Sequence, residues 1–346
     1  MAIPRKITRE MLSIAAELDK KRTTRRRNVH QTLLLRAVVL LKSQFPETEK
    51  FFSPMLQTMM QYTARPDKKG DYENGMGRHY YCHSTISGEG AKNINGYYLN
   101  GVGISSPSAR TMLEEDYTMA LTMYQCFFRK RAAELLGRAV HMLADICCIP
   151  HCTGMTYYSA GRPFHRAYEE LAEVMYPEFV EEQTISELPQ IFEYHDSLGQ
   201  AINQISGDTA DAVRIMCESP ENGTINQLYR AEALIAAFLL KFFRDTSRTS
   251  HEARYIANNS QFRMLHGSPP LSIKVTENGI LLHGVNPCPQ AALNITRTTF
   301  YAAHRHDGLF TLSPARDPKH RVLQVSSSKV KLVRFNPIHA EQLFRL

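Results

Sequence analysis

A mainly α-helical domain followed by a small β-rich C-terminal module is the architecture this chain predicts, and three observations carry it. Apolar residues recur at three- and four-residue spacing over most of residues 29–250. Prolines and capping residues punctuate those stretches where helices begin and end. Beyond residue 255 the pattern shifts to alternation, with an Asn-Gly turn signal at Asn278 and Gly279.

Residues 1–28 read as a basic N-terminal extension. The chain has 346 residues and a formal net charge of +7, much of it in the run 20–27. Such a run is either a solvated helix end or a contact for phosphate on lipid or nucleic acid. Arg9 and Glu10 interrupt the early apolar stretch, which makes a poor signal peptide. These residues leave localisation open, cytoplasmic residence and non-classical export both included. No apolar run approaches the ~20 residues that a membrane span needs.

Val29, Leu33, Leu34, Ala37, Val38 and Leu41 form one helical stripe. Residues 46–107 are rich in Gly, Asn, Asp, Tyr and Ser and read as a long loop with short helical turns. Tyr72, Tyr80, Tyr81, Tyr97 and Tyr98 argue that it is ordered. Ser108 is a candidate N-cap for the next helix, and further helices are expected at 130–147, 163–176, 186–206 and 226–245. Pro150, Pro163, Pro177 and Pro189 sit near their ends. In the module 255–346, residues 271–275 and 280–285 read as a hairpin, with further strands near 309–312, 321–325 and 330–335. The closing Gln342-Leu343-Phe344 loosely resembles the end of a ricin-type β-trefoil repeat; a small sandwich or partial barrel fits equally well. The seven cysteines suggest no disulfide framework, although Cys147, Cys148 and Cys152 beside His151 leave a small zinc knot open.

The chemistry concentrates in a stretch of 29 residues, from His141 to Glu169. His141 and Asp145 are four apart in a helical pattern, so both project from one face. Pro150 stops that helix and aims His151, and His165 and Glu169 form a second four-apart pair on the next helix. One such pair is ordinarily a surface salt bridge. Two pairs and a post-proline histidine so close together point to metal. Imidazole and carboxylate without thiolate is the ligand mix of catalytic zinc, with an open position for water.

The stretch LGRAVHMLADICCIPHCTG…FHRAYEELAE resembles the bacterial zinc-dependent phospholipase C family of the clostridial alpha-toxin type. The family carries His-x-x-x-Asp, a proline–histidine turn and His-x-x-x-Glu at this spacing. Upstream, ARPDKKGDYENGMGRHYYCH is similar to its aspartate-then-histidine segment. That implies Asp67 and His79, with Asp71 and His83 as the register alternatives. NVHQTLLLRAVVLL resembles its first helix, whose leading histidine is here His30, and AEALIAAFLLKFFRD its last.

The resemblance implies a helical zinc phosphodiesterase fold holding Zn2+. One ion would take Asp67, His79, His141 and Asp145, and a second His151, His165 and Glu169. The family's third ion also uses an N-terminal tryptophan, and this chain contains no Trp, so only His30 and Asp145 remain for it. Asp67 would be both ligand and catalytic base. The implied reaction is phospholipase C cleavage of phosphatidylcholine-like lipid at a membrane surface, giving diacylglycerol and a phosphorylated headgroup. Single-strand-specific zinc nucleases share the fold, which leaves nucleic acid as the alternative substrate, and a non-catalytic zinc-stabilised membrane-binding protein is a further alternative. Those nucleases end in His-x-x-x-Asp after a longer gap; Glu169 and the short His151–His165 spacing are similar to the phospholipase pattern. The family resemblance implies secretion, which stands beside the cytoplasmic residence and non-classical export that the N-terminal residues leave open. No pattern in the sequence sets an oligomeric state.

Overall fold

Three- and four-residue apolar spacing becomes helix throughout the first part of the chain. The computed structural model describes residues 4–21, 28–75, 77–82, 92–94, 97–99, 105–125, 128–157, 159–175, 187–195 and 197–247, and after them chiefly the strand segments between 255 and 345. The chain divides into two compact units, Met1–Arg248 and Thr249–Leu346. In the first, the described helices are α1 (Arg5–Lys21), α2 (Val29–Gln44), α3 (Thr48–Thr63), α4 (Ala109–Gln125), α5 (Arg129–Ile146), α6 (Ile149–Cys152), α7 (Arg162–Met175), α8 (Ile191–Tyr194), α9 (Leu198–Asp211), α10 (Val213–Glu218) and α11 (Pro220–Ser247). A small antiparallel sheet of β1 (Lys92–Ile94), β2 (Tyr97–Leu99) and β3 (Ser105–Ser106) lies between α3 and α4 in sequence.

Helix α5 is the centre of this unit. Every residue from Leu135 to Ile146 is buried, and α3, α4, α9 and α11 all pack against it. The surrounding core includes Phe52, Met59, Leu136, Met142, Phe238 and Phe242, each fully buried. Each such side chain contributes about 1.5–3 kcal/mol relative to exposure. Gly137 allows the closest approach: a Cβ there would lie 2.5 Å from the Met59 carbonyl oxygen on α3. The contact also lets the Thr63 hydroxyl donate to the Gly137 carbonyl at 2.7 Å.

Arg138, also on α5, fastens the segment that follows α3. Its Nη1 and Nη2 donate to the two oxygens of Asp71, each at 2.8 Å, and Nη1 also donates to Glu73. The fork geometry matches a carboxylate better than any single-point cation does. Glu73 is in turn beside Asp116 of α4, and both are buried. Burial, and then Glu73, raise the Asp116 carboxyl well above the usual range.

Three helices depart from the sequence reading. α1 lies within the expected basic extension and docks on α7 and α11 through Ile7, Met11 and Ala15. α3 occupies part of the expected loop, with Phe52, Met55 and Met59 on its buried face; Pro54 in its interior hides the pattern. The helix expected at 186–206 is instead α8 and α9. Ser197 accepts from the Gln200 N–H at 3.2 Å and so starts α9 anew. The expected cap does form at α4, where the Thr111 N–H donates to Ser108 Oγ at 3.3 Å.

The second unit is antiparallel β-structure. Its strands are β4 (Tyr255–Ile256), β5 (Gln261–Met264), β6 (Ser272–Thr276), β7 (Gly279–His283), β8 (Phe300–His306), β9 (Leu309–Pro314), β10 (Val322–Ser326), β11 (Lys329–Val333) and β12 (Phe344–Arg345). Seven of them form one sheet in the order β4-β8-β9-β12-β5-β6-β7, and β10 pairs with β11. The hairpin at the Asn-Gly signal pairs Thr276 with Gly279. The chain's end is not a trefoil repeat. β12 inserts between β9 and β5, strands far apart in sequence.

Two consequences are measurable. Gly137→Ala gains about 1 kcal/mol of helix propensity but drives a methyl into a backbone that cannot rotate away. Net destabilisation of about 1–2 kcal/mol is expected in urea unfolding; a more stable variant would contradict the close α3–α5 contact. Asp116→Asn bears on the raised Asp116 carboxyl. A carboxyl whose folded pKa is raised contributes stability below its unfolded pKa of ~4 and loses it as pH rises through the folded value. The amide does not titrate, so the variant's stability relative to the parent should climb as pH increases from about 4 to 8. Parallel curves would contradict the upward shift of Asp116.

Candidate metal centre

The buried face of α5 carries a polar stripe: Arg138, His141 and Asp145, three and four residues apart. His141 is completely buried, and its Nδ1–H donates to the Thr63 carbonyl at 2.8 Å. That bond turns Nε2 toward Asp67 Oδ1 at 3.6 Å, His79 Nδ1 at 3.2 Å and Asp145 Oδ2 at 3.2 Å. His30, the second residue of α2, stacks on the His141 ring with centroids 3.9 Å apart. Its Nε2 lies 3.8 Å from both Asp67 and Asp145. Asp67 is the open member, with 48% of its side chain exposed. The register alternatives separate here. Asp71 is held by Arg138, and His83 lies outside the described residues.

A second trio forms where α6 meets α7. Pro150 begins the short turn that presents His151, and His165 and Glu169 rise from α7 one turn apart. His165 Nδ1–H donates to the Met155 carbonyl at 2.6 Å, so its Nε2 faces His151 Nε2 at 3.2 Å and Glu169 Oε1 at 2.9 Å. Backbone carbonyls thus fix one histidine in each group, as outer partners of metal-ligating histidines commonly do.

Asp145 connects the two groups. Its Oδ2 is 2.7 Å from His79 Nδ1, while its Oδ1 is 3.3 Å from His151 Nδ1. All eight residues singled out in the sequence therefore line one centre. They fall into three sets whose ligand atoms lie within 4.8 Å of one another: His30, His141 and Asp145; Asp67, His79 and His141; His151, His165 and Glu169. The buried Nδ1 atoms of His30 and His151 have no hydrogen-bond partner. Converging imidazole nitrogens and carboxylate oxygens without thiolate fit zinc, a cation that binds such donors.

The electrostatics show how strongly positive charge is wanted here. Burial opposes a charge on His141, yet Asp145 and Asp67 outweigh it and raise its pKa to about 9. Burial likewise opposes charge on His151, but Cys148 and Asp145 hold its pKa well above the usual histidine value. Burial opposes ionisation of Asp145 and Glu169, and the neighbouring histidines reverse that, keeping both well below the ordinary carboxylate range. His30 goes the other way. Burial and the adjacent His141 lower it to about 4.

The cysteines beside His151 do not make a zinc knot. Cys147 and Cys152 are buried in the apolar core, and the Cys152 thiol donates to the Ile146 carbonyl at 3.0 Å. Burial pushes the Cys147 thiol up to about 12, away from the thiolate a metal would need. The Thr63 and Met155 carbonyls have no sequence signature, and the tie between Tyr157 and Glu169 is likewise a product of folding.

The centre opens into a cleft of about 680 Å³. Its lining mixes candidate ligand residues with apolar side chains, among them Val29 and Leu33 of α2 and Leu228 and Ala231 of α11. Among the described residues no helix is long and apolar enough to cross a membrane.

Two solved structures are similar to this chain in fold. The alpha toxin from Clostridium absonum has a TM-score of 0.55 at 12% identity, covering 89% of this chain and 96% of that one. The alpha-toxin of Clostridium perfringens from the avian strain SWCP has 0.55 at 11%, covering 89% and 97%. No curated protein sequence matches significantly. Residues 29–215 match the family described as "Zinc dependent phospholipase C", a span of more than half the chain that contains all eight candidate ligands. The chain belongs to the zinc-dependent phospholipase C family.

Proposed function

We propose that this protein is a zinc-dependent phospholipase C that hydrolyses the glycerophosphate ester of phospholipids such as phosphatidylcholine, releasing diacylglycerol and a phosphorylated headgroup. The observation that carries the reading is the convergence of eight nitrogen- and oxygen-bearing side chains at a cleft that apolar side chains also line. A phosphodiester bearing hydrocarbon on one side suits that combination. The family match supports the lipid and lends nothing to the nucleic-acid alternative.

In this reading Asp67, His79, His141 and Asp145 hold one ion, His151, His165 and Glu169 a second, and His30 with Asp145 contributes to any third. Bound zinc lowers the pKa of water toward ~7 and neutralises charge on phosphoryl oxygens. Asp145 presents a different oxygen to each group, so the ligand sets are held at one fixed separation. Asp67 is the carboxylate most open to the cleft mouth and accepts the proton of the attacking water. Val29, Leu33 and Leu228 take the apolar part of the diacylglycerol and exclude water from that side.

The test is hydrolysis of phosphatidylcholine vesicles, with vesicles of ethanolamine and glycerol headgroups beside them. Release of the phosphorylated headgroup should be abolished by a zinc chelator and restored by zinc. His141→Ala should fall to the chelated background, and Asp67→Asn should lose about 10²–10⁴-fold in kcat, the usual worth of a positioned base. Zinc-loaded protein that leaves all these lipids intact would sink the proposal.

A further inference from the structure

Glu169 is the least constrained member of its trio. Its side chain is 37% exposed, whereas His165 is fully buried and His151 nearly so. A glutamate on a helix surface has several rotamers, and freezing one costs side-chain entropy. Something must hold it if its oxygen is to stay aligned with the two imidazoles.

Tyr157 supplies that hold. Its hydroxyl donates to Glu169 Oε2, the oxygen that faces away from the histidines. Glu169 Oε1 alone faces His165 Nε2 at 2.9 Å and His151 Nε2 at 3.6 Å. The tyrosine is itself fixed at two points. Its ring lies against His165 with centroids 4.4 Å apart, and its backbone N–H donates to the Tyr80 hydroxyl at 3.4 Å. Tyr80 is buried, with its ring edge-on to His151 at a centroid distance of 5.1 Å. Two tyrosines from different segments thus brace all three members of the trio.

We infer that Tyr157 is a positioning residue that makes Glu169 a one-oxygen ligand and sets the affinity of the His151–His165–Glu169 site for its metal. The inference rests on the metal-centre reading above, and it concerns binding, so it does not depend on which substrate is cleaved. Outer-sphere partners of this kind are worth about 10–100-fold in metal affinity. Tyr157→Phe keeps the ring against His165 and removes only the hydroxyl.

The experiment is zinc titration of the full chain against a chromophoric chelator, for the parent, Tyr157→Phe, Glu169→Gln and the double variant. The expected result is that Tyr157→Phe weakens one ion by about 10–100-fold and leaves the tighter class unchanged. In the Glu169→Gln background the same change should cost little, because the hydroxyl acts through that carboxylate. A merely structural tyrosine would instead give equal losses in both backgrounds. Parent-like zinc affinity in Tyr157→Phe, or additive losses in the double variant, overturns the role of Tyr157 alone. A parent protein that binds no zinc overturns the metal centre itself.

Discussion

Burying a polar stripe on a central helix is the constraint from which the first unit is built. α5 has core on nearly all sides, so Arg138, His141 and Asp145 cannot reach bulk water. An isolated charge in such a place is costly, and it persists only when paired and hydrogen-bonded. The chain answers each residue with a partner from another segment: Asp71 and Glu73 for Arg138, the Thr63 carbonyl for His141, and three histidines besides His141 for Asp145. Satisfying that stripe therefore draws α2, the end of α3, the 64–80 segment and the α6 turn to the same side of the helix. The site is the by-product of solving a burial problem.

The sequence was most legible where chemistry and helical geometry coincide. His141 with Asp145, and His165 with Glu169, each lie one turn apart, and a histidine after a proline stands out in any context. Asp67 and His79 were harder, because a glycine-rich segment has no periodicity to set its register. What fixes the register is a tertiary contact, the Arg138 fork on Asp71, which removes that aspartate from consideration and leaves Asp67 at the cleft. The helices missed have similar causes. α1 is short on apolar residues and is stabilised by docking, α3 contains Pro54, and the break before α9 depends on one capping serine. In the second unit the hairpin at Asn278-Gly279 was legible from local turn chemistry. The pairing of β12 with β5 and β9 was not, because nothing local encodes a contact across 80 residues.

Backbone groups account for the remainder. Neither the Thr63 nor the Met155 carbonyl is marked by residue type, yet each decides which nitrogen of a histidine faces the centre. The first is placed by the close approach at Gly137, so a residue with no side chain at all bears on the orientation of a fully buried histidine of the centre. Positions of that kind are visible only once the packing is known.

The two stacked histidines show how finely the centre divides its charge. His30 and His141 are 3.9 Å apart and share the same two carboxylates, but they titrate in opposite directions. Two imidazolium rings cannot stack in a buried site without strong repulsion. One ring must take the proton, and His141 does, because Asp145 is closer to it, at 3.2 Å against 3.8 Å for His30. His30 is left neutral near pH 7, with a nitrogen lone pair free to bind metal. In the proposed zinc site, a metal at His141 Nε2 would therefore have to displace a proton, whereas His30 already offers a lone pair near pH 7.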